Sequence, residues 1–121
     1  MAVVSAVDLD IVYPSTIRQH KLELRDKVDE EIRYTFYPVY RFIEEMRKEG
    51  GVLIHCAAGI SRSVALLISY MMNKYQTSFD SCLTFIKTKR ACVNPNDGFK
   101  IQLVKFQCDL GINDGKSHIF N

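Results

Sequence analysis

The chain has 121 residues, 47% of them apolar, and carries 16 basic against 14 acidic side chains for a net charge of +2. That is one domain's worth of sequence with enough apolar material for a core, which excludes wholesale disorder. The near-balanced charge lacks the basic face of a nucleic-acid binder, the longest apolar run (residues 64–68) is far too short to span a bilayer, and no basic segment leads into an apolar stretch at Met1, so no secretory signal is expected.

Residues 2–7 form a short apolar run of strand type. Residues 8–16 are polar and turn-like, with Pro14 as a breaker. Residues 20–24 alternate, with Leu22 and Leu24 on one face, and predict a second strand. Ile32, Phe36, Val39, Ile43 and Met46 follow at helical spacing, with Asp29, Glu30 and Glu31 at the positive end and Arg47 and Lys48 at the negative end. Pro38 lies inside this stripe, so a kink or break is expected near Tyr37. Gly50 and Gly51 end the helix.

Val52, Leu53 and Ile54 predict a third strand, and a loop of small residues follows it. The helical stripe resumes at Arg62 with Val64, Leu67, Ile68, Met71 and Tyr75. Thr77 or Ser78 caps a further helix bearing Phe79, Cys82, Leu83 and Ile86. A turn at residues 94–98 precedes a last helix with Phe99, Leu103, Phe106 and Leu110, stopped by Gly111. The order predicts an α/β domain over residues 1–111, with a central, mostly parallel sheet flanked by helices. Residues 112–121 form a polar tail that is expected to fray.

The chemistry sits between the third strand and the next helix. Cys56, Ala57, Ala58, Gly59, Ile60, Ser61 and Arg62 make a Cys-x5-Arg segment. The bare spacing is weak evidence, but a central Gly lowers its chance occurrence to about one in fifty at average residue usage. Physically the segment is an anion cradle. Successive backbone N–H groups form a nest, the helix N-terminus adds positive potential, and Gly59 allows close approach. Arg62 offers a planar fork to two phosphate oxygens, and the same field stabilises a Cys56 thiolate. A thiolate beside a phosphate pocket implies covalent catalysis at phosphorus. A plainer alternative is an inert core thiol at the end of a strand, with Arg62 on the surface.

The stretch His55-Cys56-x-x-Gly59-x-Ser61-Arg62-Ser63 resembles the dual-specificity branch of the cysteine-dependent protein tyrosine phosphatase superfamily. Asp26 lies thirty residues ahead of Cys56, and Pro95-Asn96-x-Gly98-Phe99-x-x-Gln102-Leu103 matches the family's helix-opening motif. The resemblance covers residues 3–107. It implies that Cys56 attacks the phosphorus of phosphotyrosine, phosphoserine or phosphothreonine while Arg62 and the amides of residues 57–62 hold the oxygens. It further implies that Asp26 protonates the leaving group, that Ser63 hydrogen-bonds the sulfur, and that His55 orients the loop. Asp29 is the alternative acid; His55 and Ser63 have structural alternatives. No metal or cofactor is implied, and the partner is a phosphorylated protein.

The same chemistry on RNA 5′-triphosphate or phosphoinositide is a second reading, but the loop interior carries no charge to favour such anions. A phosphate-binding module without turnover is a third. A rhodanese-like sulfurtransferase usually has one residue fewer between Cys and Arg.

The family domain normally starts with a strand pair and a helix ahead of residue 2. Their absence leads us to expect an open sheet edge and a chain that is marginally stable or a homodimer through that edge. The four cysteines, Cys56, Cys82, Cys92 and Cys108, lack zinc-type spacing and are too sparse for a disulfide scaffold. Free thiols fit the cytoplasm, with the nucleus equally open. Cys82 reads as core; Cys92 and Cys108 could offer Cys56 a redox partner, but the plainer reading is that they do not. His20 and His118 read as solvated, and Lys87, Lys89 and Arg90 as a solvated helix end.

Overall fold

A computed structural model describes residues 1–7 and 13–112. The element order is β1 (Ala2–Ala6), β2 (Arg18–Leu22), a 3-10 turn (Arg33–Thr35), α1 (Phe36–Arg47), β3 (Val52–His55), α2 (Arg62–Tyr75), α3 (Phe79–Lys89) and α4 (Asp97–Asp109). The three strands form a parallel sheet in the order β2-β1-β3. Between β2 and β3 the chain crosses over β1 through α1, because parallel strands need such a crossover connection. The predicted C-terminal tail beyond Ile112 and part of the first turn segment lie outside the described residues.

The predicted elements are present, with shifted ends. β2 starts and finishes two residues earlier than the alternation suggested, because Leu24 leaves the strand to enter the core, where it is 1% exposed. All five residues of the first helical stripe are buried. The break expected at Tyr37 lies upstream instead. A 3-10 turn ends at Thr35, α1 runs unbroken from Phe36, and Pro38 sits in its first turn, where a missing N–H leaves no helical hydrogen bond unmade. The acidic trio is not in that first turn. Glu30 binds Arg25 through its backbone N–H at 2.6 Å and through the guanidinium.

Helix α2 is buried more widely than one stripe. Ala65, Leu66, Ser69, Tyr70 and Met72 are buried along with Val64, Ile68 and Met71, while Tyr75 is exposed. It is therefore the central helix, in contact with α1, α3, α4, β1 and β3. The core gathers on one face of the sheet, with Val4, Ala6, Val52 and Ile54 against the helices. On the other face Ser5, Gln19 and His55 are polar, Leu53 is 47% exposed, and Val3 is buried. Ser78, rather than Thr77, caps α3 by accepting from Ser81 N–H, and Asn96 caps α4 by accepting from Phe99 N–H.

His20, expected to be solvated, is half-buried, and the helix end at Lys87, Lys89 and Arg90 is exposed as expected, with one added contact. His20 packs on Phe42 with ring centroids 5.2 Å apart, and burial pushes its pKa down. Arg90 folds back onto the small-residue loop, its Nη2 donating to Ala58 O at 3.3 Å. His118 lies outside the described residues. No helix among the described residues is long and apolar enough to cross a membrane.

Candidate active site

The Cys56–Arg62 loop joins the end of β3 to the start of α2. It turns sharply because Gly59 adopts φ +66°, a left-handed conformation that side chains disfavour. Cys56 is buried, and its Sγ is surrounded by donors from the following turn. Ser63 N–H donates to it at 3.3 Å, and Ser63 Oγ lies 3.2 Å away. Burial alone pushes the thiol up. The Ser63 hydroxyl and backbone N–H, the Gly59 N–H and the Arg62 charge outweigh it and hold the pKa below the usual cysteine value. Cys82, buried in the core without such donors, is pushed up to about 12.

Arg62 opens α2. Its Nη1 donates to Leu24 O at 2.9 Å, which fixes the guanidinium against the chain two residues before Asp26. Ser61 is buried at the N-cap, but its hydroxyl does not cap α2; it accepts from Asn96 N–H at 2.9 Å. Asn94 N–H donates to Ile60 O at 2.9 Å, so the distal half of the loop is strapped to the segment before α4.

Asp26 is exposed, and its Oδ1 accepts from Asn96 Nδ2 at 2.9 Å. Through Asn96 it is joined to Ser61, a link that Asp29 does not share. The loop behind it is held by Gln102, whose Oε1 accepts from Ile32 N–H at 2.7 Å and Arg33 N–H at 3.1 Å, and whose Nε2 donates to Glu30 O at 2.8 Å. His55 is held through its ring. Its Nε2 lies 3.0 Å from Ser5 Oγ and 2.5 Å from Tyr13 Oη, which anchors the end of β3 to β1.

The structure thus brings together Cys56, Arg62, Ser63 and the loop amides, with Asp26 tied to them through Asn96. Sequence reasoning missed the Leu24 carbonyl, Ser5, Tyr13 and Arg90, because no spacing rule links them to the loop. Asn96 stood inside a motif already noted, without a role. Beside the loop a cleft of about 420 Å³ is bordered by Cys56, Ala57, Gly59 and Arg90 and by the apolar side chains of Leu53, Leu67 and Ile86. An anion bound over the loop would meet the N-terminal end of α2 and the Arg62 charge.

Residues 2–109 match the family model described as dual specificity phosphatase, catalytic domain, and the chain belongs to that family. It is 43% identical over 106 residues to a probable rhodanese domain-containing dual specificity protein phosphatase of Dictyostelium discoideum, covering 87% of this chain and 22% of that protein. It is 36% identical over 94 residues to the human dual specificity protein phosphatase 7, covering 77% of this chain and 22% of that protein. The chain therefore spans about a fifth of the length of each. Among solved structures, DUSP15 superposes with a TM-score of 0.83 at 27% identity, over 96% of this chain and 80% of that one. A human tyrosine phosphatase-like serine/threonine/tyrosine-interacting protein superposes with a TM-score of 0.83 at 27% identity, over 89% of this chain and 76% of that one.

Proposed function

We propose that the chain hydrolyses phosphotyrosine and phosphoserine or phosphothreonine in proteins through a cysteinyl-phosphate intermediate. The observation that carries this reading is the sulfur of Cys56, which accepts from Ser63 N–H and lies 3.2 Å from Ser63 Oγ, on a loop that ends in Arg62 at a helix N-terminus. In the first step the thiolate attacks phosphorus, the bond to the leaving oxygen breaks, and Asp26 gives that oxygen its proton. Arg62 and the amides of residues 57–62 hold the three equatorial oxygens as charge redistributes. In the second step water attacks phosphorus, the sulfur–phosphorus bond breaks, and Asp26 takes the water's proton. The Ser63 hydroxyl stabilises the departing thiolate. His55 acts from the sheet side by anchoring the strand that carries Cys56. The cradle itself supplies the positive charge that a metal would otherwise provide.

The uncharged loop interior, Ala57, Ala58, Gly59, Ile60 and Ser61, favours a phosphoprotein over more highly charged RNA 5′-triphosphate or phosphoinositide. The likeness to a phosphatase-like interacting protein supports a second reading, a phosphate-binding module with weak turnover. Phosphate release from an aryl phosphate separates the two. Release that survives a chelator and is lost in Cys56→Ser supports the hydrolase. Phosphate binding by a folded sample without release supports the module. Phosphopeptides compared with lipid and RNA substrates then test the substrate class.

A further inference from the structure

Three parts of the site meet at residue 96. Its backbone N–H donates to Ser61 Oγ at the end of the phosphate loop, at 2.9 Å. Its Oδ1 accepts from Phe99 N–H at 2.9 Å and caps α4. Its Nδ2 donates to Asp26 Oδ1 at 2.9 Å. The cap demands an acceptor, so the amide can satisfy it in only one orientation, and that orientation aims the nitrogen at Asp26. The neighbouring backbone is seated just as closely. A Cβ at Gly98 would lie 1.9 Å from Val28 O, so the loop after Asp26 rests directly on the first turn of α4.

We propose that Asn96 is a positioning residue for Asp26. The amide occupies Oδ1 and so leaves Oδ2 as the oxygen that carries the proton. This rests on the reading of Asp26 as the general acid. In the first step the Oδ2–H bond breaks as the leaving oxygen takes the proton, while the phosphorus–oxygen bond breaks and the sulfur–phosphorus bond forms. In the second, a proton from water returns to Oδ2 as the sulfur–phosphorus bond breaks. Oδ1 is an acceptor in both protonation states of the carboxyl group, so the Asn96 bond persists through the cycle. Because Asn96 is also bonded to Ser61, it relates the proton donor to the phosphate loop that holds the reacting group. Proton transfer in the transition state depends on that alignment.

Asn96→Ser tests this. A serine hydroxyl still caps α4 but is too short to reach Asp26. The wild type, Asn96→Ser, Asp26→Asn and the double variant are compared on two substrates. A phosphotyrosyl peptide needs its leaving oxygen protonated; dinitrophenyl phosphate leaves readily as the anion. Asn96→Ser is expected to lower kcat/KM on the peptide by about tenfold or more while changing dinitrophenyl phosphate by less than about twofold. The double variant should be no slower on the peptide than Asp26→Asn alone, because the two residues act as one unit. Equal losses on both substrates would assign Asn96 a structural role and overturn the proposal. Selective loss in Asp26→Asn with none in Asn96→Ser would overturn it while keeping Asp26 as the acid. No selectivity in Asp26→Asn would overturn the acid reading and the proposal with it. Should Asn96→Ser fail to fold, Asn96→Thr keeps a hydroxyl cap, lacks the donor to Asp26, and carries the same comparison.

Discussion

Burial of Cys56 favours the neutral thiol, and the Ser63 donors, the Gly59 N–H and Arg62 together overcome it. The sign has a direct consequence. A depressed pKa keeps the thiolate populated below the pH at which an ordinary cysteine loses it, so alkylation by iodoacetamide should stay fast there. In Ser63→Ala the hydroxyl donor is gone, and the inflection of alkylation rate against pH is expected to move upward. An unchanged inflection would mean that the hydroxyl does not stabilise the thiolate. The same variant should slow hydrolysis of the intermediate more than its formation, seen as a burst of phenol followed by slow turnover. Gly59→Ala forces φ +66° on a residue with a Cβ, at a cost of about 1–2 kcal/mol. The clash itself is mild, since the nearest atom is Nη1 of the flexible Arg90 side chain at 2.7 Å. Activity should therefore fall through distortion of the amide cradle, measured as weakened inhibition by inorganic phosphate.

At the scale of elements, the first two turns of α4 hold the loop that carries Asp26. Gln102 alone makes three hydrogen bonds to residues 30–33. Replacing it by leucine strands the Ile32 N–H in a part-buried setting and should destabilise the fold by about 1–3 kcal/mol, read from chemical denaturation. Gly98→Ala has no comparable escape, because the atoms it meets are the backbone of Val28. It should shift the loop and lower turnover of phosphopeptides, with dinitrophenyl phosphate again the less affected substrate. Among the described residues β3 pairs only with β1, which leaves the outer edge of β3 unpaired. Self-association of the 121-residue chain through that edge is expected. Sedimentation should show a dimer that Leu53→Lys weakens; a monomer at every concentration would remove the edge as an association surface.

For the whole molecule, one central helix serves both core and chemistry. The N-terminal turn of α2 carries Arg62 and Ser63, and its body is packed by α1, α3 and α4. Loss of a large core side chain such as Phe36 or Phe99, both essentially fully buried, should cost about 3–5 kcal/mol. That is a large share of the stability of a domain of this size, so Phe36→Ala or Phe99→Ala is expected to lose the cooperative thermal transition and phosphate binding together. Substitution of Asp26, which is exposed, should leave the melt nearly unchanged while altering the chemistry.

The strands, the helical stripes and the Cys56–Arg62 loop were legible in the residues because each is local. Alternation, helical spacing and small residues between a strand and a helix depend on neighbours within a few positions. Even Asp26 and the segment around Asn96 could be marked by resemblance. What the linear chain did not carry was which groups meet. The bounds of β2 were decided by Leu24 entering the core, and the place of the helix break by Pro38 fitting a first turn. The wide burial of α2 was decided by its central position among three helices. Leu24 with Arg62, Asn96 with both Ser61 and Asp26, and His55 with Ser5 and Tyr13 are contacts across the fold. They form only when helices and sheet close on one core, and so they belong to the tertiary structure.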